Sequence, residues 1–124
     1  MPTELVVQSQ LALMEAGTPP TMTAADATGH TYRNLRGVED LEPMIYVENS
    51  TASPITLTMI SARKSNFGTF PNKTVTIPAM TITQLPGFDV RRFTDPGTSL
   101  ASFTLSATSG VRVAAVEPGR YYKE

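Results

Sequence analysis

The chain has 124 residues, 40% of them hydrophobic and 17% charged, with a formal net charge of −1, one histidine and no cysteine. That length fits one domain, which hides roughly two thirds of its unfolded surface on folding and so can be held by one core without staples. The near-neutral charge, with no basic cluster larger than Arg63-Lys64, argues against nucleic acid as a partner, and the missing cysteine removes disulfides, thiolate catalysis and zinc-thiolate centres.

Residues 1–17 (MPTELVVQSQLALMEAG) lack a basic leader, and their apolar residues are interrupted by Gln, Ser and Glu, so they do not read as a secretory signal. No run in the chain is long enough to span a membrane. Leu5, Val6, Leu13 and Met14 permit a helix, while Val6-Val7-Gln8 permits an edge strand. We read 1–17 as an N-terminal arm or edge segment that reaches a partner through Leu5, Val6, Leu11 and Leu13, and 18–124 as the body, with Thr18-Pro19-Pro20-Thr21 as a hinge. From Gly17 to Asn34 small and polar residues predict a loop or a weakly paired strand.

Beyond this, alternation of period two dominates. Met44-Ile45-Tyr46-Val47 is a short run of strand formers, and the turn-rich Asn49–Pro54 separates it from Ile55, Leu57 and Met59, which alternate with Thr56 and Thr58. Residues 61–73 read as a loop in which Phe67 and Phe70 are plugs or contact residues. Val75 and Ile77 then alternate with Thr74 and Thr76, and Met80 and Ile82 with Thr81 and Thr83. Pro78 between these runs has no N–H to donate to a ladder, so the chain bends or changes sheets there. In the connection 85–98, Phe88 and Phe93 are placed to seal one end of the core, and Asp89–Phe93 predicts one helical turn with Asp89 as its cap. Ala101, Phe103 and Leu105, then Val111, Val113 and Ala115, complete the pattern around a tight Thr108-Ser109-Gly110 hairpin, and Pro118-Gly119 ends the last strand.

An apolar face backed by a hydroxyl face is the signature of antiparallel strands with one side on a core and one in water. The expected fold is therefore all-β and mainly antiparallel, a small β-sandwich or jelly-roll-like barrel of about seven to nine short strands. The charged fraction is below the ~25% usual for soluble domains. Hydroxyl residues fill the gap, 18 of them threonine. A hydroxyl costs less to desolvate than a charge, so such a surface suits a later meeting with protein.

The residues of catalysis are scarce. His30, in Thr28-Gly29-His30-Thr31-Tyr32, is the one histidine, has no nucleophile-elbow pattern around it, and reads as a surface or turn residue. The acidic residues pick out no pair, Glu39, Asp40 and Glu42 read as a solvated loop, and Asp95-Pro96-Gly97 does not match a calcium loop. Two Asn-X-Thr sequons, at Asn49 and Asn72, read as turn chemistry. We expect no enzyme activity, no metal and no cofactor. A carbohydrate-binding module is the alternative from another class, with Tyr32, Tyr46, Tyr121 and Tyr122 as stacking candidates, although the chain has no tryptophan.

The order of several segments resembles a group of small phage virion proteins often encoded near the major capsid protein. The resemblance is carried by Thr18–Asp26, Gly29–Asn34, Met44–Asn49, Ile55–Met59, Val75–Ala79, Leu85–Asp89 with Arg92–Asp95, and Ser109–Val116. It implies a non-enzymatic decoration or cement protein, made in the host cytoplasm and placed on the virion's capsid surface. It also implies the major capsid protein as partner and a homo-oligomer, with a trimer favoured. Tyr121 and Tyr122 join Phe67, Phe70 and the N-terminal residues as candidate partner contacts. A head–tail neck, tail or baseplate component is the alternative within the same class.

Overall fold

The alternating runs pair into two sheets that face each other across the apolar side chains. The computed structural model describes residues 2–34, 42–62, 64–65, 68–69, 71–88 and 90–117. In chain order the elements are β1 (Thr3–Leu5), β2 (Val7–Ser9), α1 (Gln10–Ala16), β3 (Thr23–Ala24), β4 (His30–Arg33), β5 (Met44–Asn49), β6 (Ile55–Ile60) and β7 (Lys64–Ser65). They continue as β8 (Gly68–Thr69), β9 (Lys73–Ile77), β10 (Thr81–Leu85), α2 (Val90–Phe93), β11 (Leu100–Leu105) and β12 (Val111–Glu117). The first sheet runs β1-β4-β11-β6-β9. The second runs β10-β5-β12-β2, with β3 also on β12, and β7 and β8 form a separate hairpin. Pairing is antiparallel except for β1 on β4 and β2 on β12. The all-β sandwich expected from the alternation is the observed class. Its strands outnumber the seven to nine expected, because β1, β2, β3, β7 and β8 are each two or three residues long, too short to show a period.

Two corners lace the sheets together. At one side Val6 alone carries the chain from β1 in the first sheet to β2 in the second. At the other, Pro78-Ala79-Met80 carries it from β9 to β10, so the proline marks a change of sheet. The inward residues pack between them: Tyr32, Ala101, Phe103, Leu57, Met59 and Ile77 from the first sheet meet Ile45, Val47, Val111, Val113 and Ala115 from the second. Burying each large side chain of this kind is worth about 1.5–3 kcal/mol.

Each end of the sandwich is closed by a buried amide. Asn34 Nδ2 donates to the Phe88 carbonyl at 3.1 Å and to Thr94 Oγ1 at 2.9 Å. Beside it Phe88 and Phe93 meet edge to face at 5.6 Å, so both phenylalanines seal the core as the sequence suggests. The helical turn expected here is α2; Asp89, its expected cap, lies outside the described residues. At the opposite end Asn49 Nδ2 donates to Ser53 O at 3.0 Å and Pro78 O at 3.1 Å, with Ile77 O at 3.4 Å, while Oδ1 accepts from Thr51 N and Thr51 Oγ1. Asn49 thus ties the β5–β6 turn to the β9–β10 corner. The sequon at Asn49 is turn chemistry in this literal sense, and at 1% exposure its amide is closed to glycosylation.

Three expectations are corrected. His30 is not a surface or turn residue: it is fully buried on β4, because His30 and Tyr32 share the inward parity of a strand held between β1 and β11. The stretch 17–34 therefore contains a strand paired on both sides. In β10 the faces are reversed: Thr81, Thr83 and Leu85 point inward, while Ile82 and Met80 are 70% and 73% exposed. Both parities of 80–85 carry apolar residues, and Leu85, buried beside Phe88, settles which face turns in. The corner sets that phase with Met80 in the left-handed region at φ 56°. The first 16 residues resolve as both alternatives, two edge strands and a helix, and Ser9 caps α1 by accepting from Ala12 N. Gln8 clasps Thr21 through two backbone bonds of 2.8 Å, which fixes to β2 the segment read as a hinge.

Asn49→Ala removes the donor to the buried Ile77 carbonyl and to the partly buried Ser53 and Pro78 carbonyls at once. We expect a loss of about 2–3 kcal/mol, since each buried polar group left unpaired costs about 1–3 kcal/mol. Urea denaturation measures it, and Asn49→Asp, which keeps the acceptor and cannot donate, is expected to lose nearly as much.

Candidate functional site

The two outer faces differ in chemistry. On the first sheet the outward parity of β11, β6 and β9 brings hydroxyls into rows. Thr104 lies opposite Thr58 and Thr58 opposite Thr74; Thr56 lies opposite Thr76; Thr31 lies opposite Ser102, and Ser102 opposite Ile60. These side chains are half-buried or exposed. The outward positions of these three strands hold no charged residue. Glu4 on β1 and Arg33 at the end of β4 bound this face. With strands about 4.8 Å apart and alternate residues about 6.7 Å apart along each strand, the face is a regular lattice of hydroxyls.

The second sheet is covered differently. Its outward Val116 and Ala114 are buried although they face away from the core. Helix α1 and the segment after it lie over this part of the sheet, and Leu13, Met14, Pro20, Tyr46 and Val116 line a shallow groove of about 250 Å³ between them. Beyond it the face carries an Arg112–Glu48 ion pair, then exposed Ile82 on β10 and Met80 at the corner before it.

Among the described residues, the expected partner contacts Leu5, Val6 and Leu13 lie in different surroundings. Leu5 is a core residue at 4% exposure and so is not offered to a partner; as the inward residue of β1 it packs where the strand closes the sandwich. Val6, at the corner, is 80% exposed. Leu13 is half-buried in the groove beside α1. Leu11 lies on α1 with its side chain outside the described residues, and Phe67, Phe70, Tyr121 and Tyr122 fall outside them as well. Tyr32 is fully buried, so it cannot stack on a sugar, and burial pushes its phenol well above the ordinary tyrosine range. Periodicity exposes the hydroxyl faces but cannot say that three of them share one sheet in register. The exposed Met80 and Ile82 were missed because their alternation was assigned to the core.

His30 and Asp26 form a cluster of titratable groups beside β1. His30 stacks on Phe103 at 5.4 Å, and its Nε2 accepts from Asp26 N at 3.0 Å, which puts the ring proton on Nδ1. Gly29 makes the approach possible: at φ 95° a Cβ there would lie 2.8 Å from the Phe103 carbonyl oxygen. The Asp26 carboxylate accepts from Thr3 Oγ1, Thr28 N and Thr28 Oγ1, which together hold its pKa near 2 against an ordinary 3.8. Burial lowers the His30 pKa, with the Thr3 backbone and the Asp26 carboxylate opposing. The ring has no solvent exposure, and its Nε2 is bonded to backbone. Among the described residues no group of three His, Asp or Glu could hold a metal ion, and no helix is long and apolar enough to cross a membrane.

No protein-family model, curated protein or solved structure matches the chain.

The cluster makes stability depend on acid. A histidine whose folded pKa is below the unfolded 6.5 binds its proton more readily when unfolded, so its contribution is complete above pH 6.5 and is lost as pH falls from there toward the folded value. Asp26 adds a second loss, with the same sign, as pH falls through 3.8 toward about 2. We expect the urea midpoint to decline from pH 7.5 to 5, and His30→Gln, which keeps an acceptor for Asp26 N, to flatten that slope.

Proposed function

We propose that this chain is a non-enzymatic structural component of a phage virion, a decoration protein that binds the outside of the capsid shell and stabilises it. The observation that supports this reading best is the charge-free hydroxyl lattice on the first sheet, centred on Thr58 between Thr104 and Thr74. A protein surface meant for water carries charges interspersed on it. A surface meant for a protein partner avoids charge at its centre, because a hydroxyl is desolvated cheaply and can still pair with backbone groups opposite it. The likeness of the segments along the chain to small phage virion proteins supplies the partner, the major capsid protein. The means is mass action: a protein that binds the assembled shell and not its loose subunits shifts the equilibrium toward the shell. Val6, exposed at the corner, is available to reach a neighbouring subunit.

Shells assembled from the major capsid protein encoded nearest to this chain should sediment with it and resist heat or chaotrope better when it is bound. Thr58→Lys puts a charge at the centre of the lattice on an outward position, leaves the fold intact, and should weaken shell binding by about tenfold or more, equal to at least about 1.4 kcal/mol. Unchanged binding by this variant would remove the hydroxyl face from the interface. Binding to purified tails and not to shells would move the protein to the neck or tail.

A further inference from the structure

We infer that β10 is a self-association edge, through which two copies of this chain join their second sheets in one antiparallel ladder. The strand ends its sheet, so one row of its backbone N–H and C=O groups has no strand beside it among the described residues. Sheet edges are normally blunted by charges, proline, bulges or extreme shortness. The other edges follow that rule: β1, β2 and β3 are two or three residues long, β1 carries Glu4, and β9 begins with Lys73. β10 has five residues, Thr81-Ile82-Thr83-Gln84-Leu85, in unbroken register with β5 and without charge or proline. The absence of charge runs further, through every residue from Thr74 to Phe88 in a chain that is 17% charged.

Self-pairing follows from the order of these five residues. A two-fold axis at Thr83 sets Thr83 opposite its own copy, Ile82 opposite Gln84 of the second copy, and Thr81 opposite Leu85. No like charges meet, which is the condition an isologous contact must satisfy. The two Ile82 side chains become diagonal neighbours on the outer face, so a residue now 70% exposed gains cover. Met80 comes beside Pro86 of the second copy. Met80 is 73% exposed and sits in the left-handed region at φ 56°, where a non-glycine residue is strained. The nearest charges on this face, Glu48 and Arg112, are bonded to each other. The contact gives a dimer, not the trimer implied by the phage resemblance, and it is independent of capsid binding.

The experiment uses the purified full chain without shells. Light scattering across a wide concentration range should give twice the 13.4 kDa chain mass, and Ile82→Lys, at an exposed position, should give the single-chain mass with an unchanged circular dichroism spectrum. A second measurement exploits the absence of cysteine. Thr83→Cys places two thiols on the axis, with Cα atoms about 4.5–5.5 Å apart as in any directly opposed pair, within disulfide reach. It should form a symmetric disulfide under mild oxidant far faster than Ser109→Cys in the β11–β12 turn, which leads into β12, two strands in from this edge. A single-chain mass at every concentration, an oligomer untouched by Ile82→Lys, or equal crosslinking of the two cysteine variants would each overturn the inference.

Discussion

The Asn49 amide sits where the two sheets of the sandwich are sewn together. On one side it holds the turn that sends the chain from β5 to β6, and on the other it holds the carbonyls of Ile77 and Pro78, where β9 leaves one sheet for the other. A turn and a corner that far apart in sequence could each settle independently. Binding both to one side chain makes their positions a single variable. From that corner β10 sets out with Leu85 turned inward and Ile82 turned outward. A buried amide is suited to this because it offers two donors and an acceptor from one rigid plane. It is costly to remove for the same reason.

With the corners fixed, the sandwich divides its surfaces by chemistry. The first sheet turns hydroxyls outward and keeps its charges at the margin. The second spends part of its outer face on α1 and the segment after it, which line a groove with Val116. What is left uncovered on that side is the Arg112–Glu48 pair and the apolar rim of β10. Two separate surfaces of low charge, one a lattice of hydroxyls and one a strand edge, thus lie on different sheets of one small domain.

Much of this is legible in the residues. The alternations at 55–59, 74–77, 101–105 and 111–115 fall on β6, β9, β11 and β12, and the proline at 78 marks the change of sheet. Phe88 and Phe93 seal the end where they were placed. What stayed hidden is what local periodicity does not encode. His30 looked peripheral because its segment is rich in small polar residues, yet long-range pairing to β11 makes it core. Leu5 looked available because its strand is three residues long, yet parallel pairing with β4 turns it inward. Met80 and Ile82 alternate as cleanly as any core pair, and only the competing parity of Leu85 decides against them. The convergence of three hydroxyl faces on one sheet needs the strand order, which alternation alone does not contain.

The parallel pairing of β2 with β12 bears on how the molecule is made. Val7 lies opposite Ala115, so an edge of the second sheet joins residues separated by nearly the whole chain. Contacts of that span are closed late and slowly, because loop entropy is spent before they reward it. During synthesis β1 finds its partner β4 within about thirty residues, whereas β2 has no strand beside it until β12 is made. β2 is therefore placed on this edge only after β12 has been made, and Val7 goes without that cover until then.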